Sequence, residues 1–481
     1  MDVAQAGRER SVSLAGLFPG ARFVACDDIH GGSFQDVARR CRPGDVFVAR
    51  GPGHEQVPIA LARGVRGVVA ERIIATDGVP LCLVADVEWA WSRLAHTLAG
   101  APAGRMRVTA ITGTSGKTTT AWLAAAMLAE GGHRVGVLSD LGCLSADDTP
   151  PEPADYADPR AFAGWLARLA DGGCTHAVVE VSSRMLAAHA LAGVACDTVA
   201  VTNLAEAHLD LHGSRQAYRA VTRRIMDGLA ADGCLVSGVR PAERDRFRAR
   251  GPASATCLTA GLTARDDVWA RPVERSLHGR TFLLGCGGQM VPVATGTPAL
   301  PFVRDAVLAA AIAVRHGVAL EIAARGLEAV GSVPGRMERI DRGQDVPVFI
   351  DTPSSTHALV ATLRSLRRLT RGRLAIVAEG PLAARLGGRS FGRHVARFCD
   401  DCVVVPVTMT GADPEPADLA AYARMDRLLA SLGRHDCLVA VGGAAARRTG
   451  PAGPDPFPLA VVVDGWMQLA HGSGSGARRA A

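Results

Sequence analysis

At 481 residues the chain is longer than one hydrophobic core ordinarily serves, so several domains are expected. With 48% hydrophobic and 21% charged residues, its composition is globular rather than disordered. The net charge of +6 is mild, its basic residues are spread along the chain, and aromatics are only 4%, which argues against a dedicated nucleic-acid surface.

Met1 to Arg10 carries charges of both signs without an apolar core and does not read as a secretory signal. No run of about 18 apolar residues is present, so no membrane-spanning helix is expected. The 12 cysteines are irregularly spaced and mostly lie in apolar runs such as Val194-Ala195-Cys196. That is the usage of buried thiols in a reducing compartment, so a cytoplasmic protein is expected. The single CxxC, Cys399-Asp400-Asp401-Cys402, has no second pair or histidine run beside it. It reads as two small core residues next to a strand.

Short β-rich runs alternate with Ala-rich amphipathic stretches, the pattern of parallel α/β sheets. The first segment offers strands at Asp45–Ala49, Val65–Ala70 and Pro80–Val84, then a helix through Trp89–Leu98. Ala101-Pro102-Ala103-Gly104 reads as a linker. A second segment opens with a strand at Arg107–Thr112, has further strands at His176–Glu180 and Thr198–Thr202, and runs to about Val333. Its last third is rich in Gly, Pro and Arg and has no clear period. In a third segment, from Pro334-Gly335-Arg336, strands are expected at Pro347–Asp351, Leu374–Ala378, Cys402–Val407, Cys437–Val441 and Leu459–Val463. The Gly/Ser/Arg-rich tail, 472–481, is expected to be disordered. The resulting division is 1–104, 105–333 and 334–471.

The strand at Arg107–Thr112 runs into Gly113-Thr114-Ser115-Gly116-Lys117-Thr118-Thr119-Thr120, and a helix is expected over Ala121–Leu128. Glycines let backbone N–H groups turn inward around a polyphosphate, and the helix N-terminus adds its positive dipole end. Lys117 suits the β- and γ-phosphates, and the Thr118 hydroxyl suits Mg²⁺. The general P-loop pattern is incomplete, since Ile111 stands where its first glycine falls. Composition adds weight: of 53 Lys plus Arg residues, Lys117 is the only lysine. A randomly placed survivor would land there about once in fifty placements, and a compact ammonium fits among phosphate oxygens where a planar guanidinium does not. Glu180-Val181-Ser182-Ser183 follows the next strand, so a carboxylate stands at a strand's C-terminal end, where α/β proteins bind ligands. Thr202-Asn203-Leu204 ends another strand, and His208-Leu209-Asp210-Leu211-His212-Gly213 follows; Glu180 and His208 beside a phosphate loop are candidate ligands of a second Mg²⁺.

In this order these motifs, with Pro334-Gly335-Arg336-Met337-Glu338-Arg339 and the N-terminal Arg42-Pro43-Gly44-Asp45-Val46-Phe47-Val48-Ala49, resemble the Mur ligases. Within that family the likeness is to the UDP-N-acetylmuramoyl-tripeptide synthetases, which add the third peptide residue in peptidoglycan precursor synthesis. It covers nearly the whole chain and is strongest in the central third. The resemblance implies three α/β domains: a central P-loop parallel-sheet ATPase domain, a smaller N-terminal α/β domain and a C-terminal Rossmann-like domain. It also implies an enzyme that phosphorylates a substrate carboxylate with ATP and lets an amine attack the acyl phosphate. Carried over, Gly113, Thr114, Ser115, Gly116, Lys117, Thr118, Thr119, Asn203, Arg336 and Asp351 would contact ATP, with Asp351 on the ribose. Thr118, Glu180 and His208 would ligate Mg²⁺; Lys117, Glu180 and His208 would be catalytic; Thr149, Ser182 and Ser183 would meet the substrate. The implied partners are a UDP-MurNAc-peptide-like acid and an amino acid, bound by a monomer, with no nucleic acid or membrane involved.

The pattern breaks in named places. Thr222 stands where the family has a carbamylated lysine that ligates the second Mg²⁺, and no other lysine exists to replace it. The family's Asp-Tyr-Ala-His-Thr-Pro becomes Asp351-Thr352-Pro353-Ser354-Ser355-Thr356, and its basic loop after the next strand becomes Glu379-Gly380-Pro381. The diaminopimelate-reading Asp-Asn-Pro-Arg is absent, with Thr410-Gly411-Ala412-Asp413-Pro414 nearby, and Lys-Gly-His-Glu is replaced by Val441-Gly442-Gly443-Ala444-Ala445. Paired asparagines near adenine appear as Phe302 and Asp305, and a uridine-contacting serine as Ala38. The phosphate site is kept while both substrate sites are rewritten, so poor use of diaminopimelate is expected. Two alternatives stay open: a divergent paralogue joining other substrates, and a non-catalytic ATP-binding regulator of cell-wall synthesis.

Overall fold

The computed structural model describes residues 11–144, 157–205, 209–406, 416–442, 449–450 and 453–454. The expected strand at Leu459–Val463 and the tail lie outside them.

Residues 11–106, 157–172 and 183–195 form one compact unit. Its five-stranded sheet runs in the order Arg22–Val24, Leu81–Leu83, Gly67–Ala70, Val46–Val48, Phe34–Gln35, parallel except for the first pair. Val87–Leu98 is a helix because Asp86 caps it, accepting the Trp89 N–H at 2.9 Å, and because Val87, Ala90, Trp91 and Leu94 fall on one buried face. Pro159–Asp171, capped by Asp158, packs against it, with Phe162 edge-on to His96 at 5.5 Å.

Among the described residues the second unit holds two large sheets and a two-stranded ribbon, Thr449–Gly450 with Gly453–Pro454. Its ten-stranded sheet runs Gly142–Leu144, Val135–Ser139, His176–Glu180, Arg107–Thr112, Cys196–Val201, Leu229–Ser237, Thr256–Gly261, Val268–Ser276, Gly279–Cys286, Gln289–Thr295. The strands from Val135–Ser139 to Val268–Ser276 are parallel, so their C-terminal ends line one edge. The register sets Glu180 opposite Ile111 and Val201 opposite Thr112. The helix after the phosphate loop, Lys117–Glu130, starts four residues earlier than expected and is buried on nearly every side. It lies against the helices Leu300–Arg315 and Leu320–Ala329 and the strand Val135–Ser139, which is why its Ala, Leu and Met residues show no polar stripe.

The last three strands form an antiparallel meander that sequence reading did not find. In Gly279–Cys286, Phe282 and Leu284 alternate inward as a strand requires, but Arg280 takes the next inward position. Its Nε and Nη2 donate to Pro298 O at 3.1 and 2.9 Å, so the guanidinium is buried with its hydrogen bonds made. A buried arginine removes the apolar alternation by which such a strand is recognised.

The other sheet runs Glu338–Ile340, Val348–Asp351, Cys437–Val441, Leu374–Glu379, Asp401–Val405, parallel except for the first pair. All twelve cysteines are free thiols. Burial pushes the Cys399 thiol up to about 12, the opposite of a reactive redox pair, while Cys402 is exposed on the edge strand rather than in the core. Among the described residues no helix is long and apolar enough to cross a membrane.

At the N-terminal end of the central strands three imidazoles stack: His133 on His176 at 4.2 Å and His176 edge-on to His316 at 4.9 Å. The hydroxyls of Thr109 and Thr198 each lie 3.2 Å from His316 Nε2. Burial first, then neighbouring His176 and Arg107, holds His316 down to about 3; burial and His133 hold His176 down to about 4. The folded state therefore keeps His316 and His176 neutral while the unfolded chain protonates near 6.5, so stability falls as pH drops below about 6.5 and levels off near 4 to 3. His316→Gln is expected to reduce the proton uptake on unfolding between pH 6.5 and 4.5 by about one proton, read from urea midpoints across pH. An unchanged slope would contradict this assignment.

Candidate active site

The phosphate loop joins the centre of the sheet to the buried helix through two residues that need glycine. Gly113 has φ of 143°, and a Cβ there would fall 2.0 Å from Thr202 Oγ1 and 2.9 Å from Asn203 O. Gly116, at φ of 83°, would place one 2.2 Å from Asp305 Oδ1. Between them the loop is braced by the neighbouring strand end. Thr202 Oγ1 and Asn203 Nδ2 donate to Ser115 O at 2.6 and 2.9 Å; the Ser115 N–H donates to Asn203 Oδ1 at 3.2 Å and the Thr114 N–H to Asn203 O at 3.1 Å. The Thr114 hydroxyl, fully buried, lies 3.0 Å from Tyr218 Oη. Asn203, expected near the phosphates, therefore clamps the loop that would hold them.

Lys117, Thr118 and Thr119 occupy the first helical turn and are buried. Glu180 sits one strand away, 5% exposed. Its Oε2 accepts from Thr118 Oγ1 at 2.8 Å and from the Asp140 N–H at 3.0 Å, and Lys117 Nζ lies 3.7 Å from its Oε1. Burial, then the Asp140 carboxylate, raises the Glu180 pKa, with Lys117 and Arg336 opposing. Among the described residues Glu180 Oε1 accepts no hydrogen bond. A buried carboxylate oxygen left without a donor, beside a threonine hydroxyl, is the donor chemistry that a hard divalent cation such as Mg²⁺ satisfies.

Arg336 reaches this group from the turn before Glu338–Ile340. Its Nη2 donates to Thr118 Oγ1 at 2.9 Å and lies 3.5 Å from Asp140 Oδ2, while Nη1 donates to Thr352 O at 2.6 Å. The turn is held by Gly335 at φ of 62° and by Met337, left-handed at φ of 51° despite its side chain. Asp351 explains that strain: its Oδ1 accepts the Met337 N–H at 3.1 Å and its Oδ2 the Thr362 hydroxyl at 2.5 Å. Asp351, expected at a ribose, is buried and braces the Arg336 turn.

The structure thus gathers Lys117, Thr118, Glu180 and Arg336, with Asn203 and Asp351 one step behind. Ser182 follows the Glu180 strand and Ser183 opens the short helix Ser183–Ala187. His208 and Thr149 lie outside the described residues, as does the 408–415 part of the window where the diaminopimelate motif is missing. Thr222 is buried and its hydroxyl donates to Tyr218 O at 2.8 Å, so it is spent on its own helix. Sequence reading missed Asp140; the signal available was a carboxylate directly after the strand Val135–Ser139, neighbour to the Glu180 strand. Arg385, Arg389 and Arg393, close together in the sequence after Leu374–Glu379, are all exposed.

A scan against family models matches residues 111–313 to the Mur ligase middle domain. The UDP-N-acetylmuramyl-tripeptide synthetase of Roseiflexus sp. (strain RS-1) is 32% identical over 420 residues, covering 80% of this chain and 79% of that protein. A UDP-N-acetylmuramoyl-L-alanyl-D-glutamate--2,6-diaminopimelate ligase of Syntrophomonas wolfei is 27% identical, covering 81% of each. Among solved structures, a ligase of that same name aligns over 96% of this chain and 99% of its own, with TM-score 0.69 at 20% identity. MurF ligase from Thermotoga maritima in complex with ADP aligns over 86% of this chain and 94% of its own, with TM-score 0.56 at 18% identity. The three-domain α/β fold and the phosphate loop are those of an ATP-dependent amide ligase. The chain belongs to the Mur ligase family, the ligases of peptidoglycan precursor synthesis.

Lys117→Ala is expected to abolish ATP binding, and Lys117→Arg to weaken it by about tenfold or more, since one charged hydrogen bond is worth about 1.5–3 kcal/mol. Calorimetric affinities equal to wild type in both variants would remove the lysine from the nucleotide site.

Proposed function

We propose that the chain joins the carboxylate of a UDP-MurNAc-peptide-like acid to the amine of an amino acid, with ATP supplying the activation. The single observation that carries this reading is the convergence of Lys117, Thr118, Glu180 and Arg336 at the C-terminal edge of the parallel sheet. On this reading Lys117 neutralises phosphate charge while the loop's N–H groups orient the terminal phosphate. The acid's carboxylate takes that phosphoryl group, releasing ADP; the amine then attacks the acyl carbon and inorganic phosphate leaves. Thr118 and Glu180 would hold Mg²⁺, whose charge would offset the negative charge that develops on the phosphates. Arg336, already bonded to Thr118, is placed to follow the same charge. The division at 1–104, 105–333 and 334–471 is the domain reading that goes with this function, as are the monomeric state and the cytoplasmic location.

Because the Thr222 hydroxyl is turned into its own helix, the second metal ligand that other family members make from carbamylated lysine has no counterpart there. Activity is therefore expected not to depend on bicarbonate. The purified chain with UDP-MurNAc-dipeptide, ATP and Mg²⁺ is expected to release ADP in an amino-acid-dependent manner, with little turnover on diaminopimelate. Rapid product formation with diaminopimelate would overturn the substrate reading. ATP binding without ADP release for any amino acid would favour a non-catalytic regulator, and stimulation by bicarbonate would contradict the account of Thr222.

A further inference from the structure

Asp140 is the first residue after the strand Val135–Ser139, beside the strand that ends in Glu180. Its N–H is tied to Glu180 Oε2 at 3.0 Å, which fixes its backbone next to that carboxylate while its own carboxylate stays about half exposed, at 46%. The arrangement is unfavourable on its face, because two like charges sit side by side and one is buried. What holds it together is a single atom. Arg336 Nη2 donates to Thr118 Oγ1 at 2.9 Å and lies 3.5 Å from Asp140 Oδ2, and the same Thr118 oxygen donates to Glu180 at 2.8 Å. Two oxygens, from Thr118 and Asp140, therefore meet one cationic nitrogen, and Glu180 is joined to it through the Thr118 hydroxyl. A second observation points to a cation: among the described residues Glu180 Oε1, in a side chain 97% buried, accepts no hydrogen bond and has only Lys117 Nζ at 3.7 Å. Arg336 does not reach that oxygen.

We propose that Asp140 is a ligand of the divalent cation, joining Thr118 and Glu180, and that the Arg336 guanidinium stands in for the cation until metal nucleotide binds. The inference rests on the nucleotide reading above. Magnesium is ordinarily held by one or two carboxylates together with phosphate oxygens, and Asp140 supplies a carboxylate beside that of Glu180. When the cation enters, Arg336 Nη2 gives up its place between Thr118 and Asp140 and is free to bond a phosphate oxygen, so each cation keeps an anionic partner throughout. Nη1 stays anchored on Thr352 O, which limits the movement to the tip of the side chain.

The test uses Mn²⁺ as the probe on the full chain, its binding followed by electron paramagnetic resonance with a non-hydrolysable imido analogue of ATP. Asp140→Asn is isosteric and keeps the N–H bond to Glu180; it is expected to weaken Mn²⁺ binding by about tenfold or more. Its affinity for the analogue without metal is expected to be unchanged or tighter, since a negative charge near the phosphates is gone. Asp140→Glu, which retains a carboxylate, is expected to bind Mn²⁺ more tightly than Asp140→Asn. Mn²⁺ affinity of Asp140→Asn within about twofold of wild type would overturn the proposal and leave Asp140 a surface partner of Arg336. Failure of the wild-type chain to bind the analogue at all would instead sink the phosphate-site reading, and this inference with it.

Discussion

Everything in the site is arranged around one buried carboxylate. Glu180 ends a central strand where water cannot solvate it, and burying an anion there costs several kcal/mol unless donors and cations gather round. The Thr118 hydroxyl, the Asp140 N–H, Lys117 and, through Thr118, Arg336 all do so. That requirement explains why the phosphate loop, the strand Val135–Ser139 and the turn before Glu338–Ile340 converge on one spot. It also explains the left-handed backbone at Met337, which Asp351 holds so that Arg336 points inward.

The packing behind the site makes this geometry stiff. The helix Lys117–Glu130 is enclosed by the sheet and by Leu300–Arg315 and Leu320–Ala329, so its first turn cannot drift. Gly113 and Gly116 let Thr202, Asn203 and Asp305 press directly against the loop. Burial drives the Asp305 pKa well above that of an ordinary aspartate, with Arg304 and Arg336 opposing, which favours a neutral carboxyl beside the loop. A loop meant for polyphosphate thus avoids one fixed negative charge next to it.

Much of this was legible in the sequence, and the reason is local. The strands Arg107–Thr112, His176–Glu180 and Cys437–Val441 are apolar runs bounded by clear breaks, and they form where expected. Lys117 announced itself by being the only lysine in the chain. What escaped depended on long-range contact. The helix start at Lys117 follows from Gly116 in the left-handed region, which no periodicity reveals. The meander around Gly279–Cys286 was hidden by Arg280, whose burial makes sense only once Pro298 O is known to meet it. Asp140 is an ordinary strand-end acid until the register sets its strand beside that of Glu180. Asp351 stood out as a strand-end carboxylate, yet its hold on the Arg336 turn depends on Thr362 and Met337, which only the fold brings to it.

The central claim is that this chain activates a carboxylate by transferring a phosphoryl group to it. Its most direct test labels the acid's carboxylate with oxygen-18 and follows the isotope by phosphorus NMR during turnover. An acyl phosphate forms through a carboxylate oxygen and breaks at the acyl carbon, so one labelled oxygen is predicted in inorganic phosphate for each peptide bond made. Peptide bond formation with phosphate free of label would contradict the account.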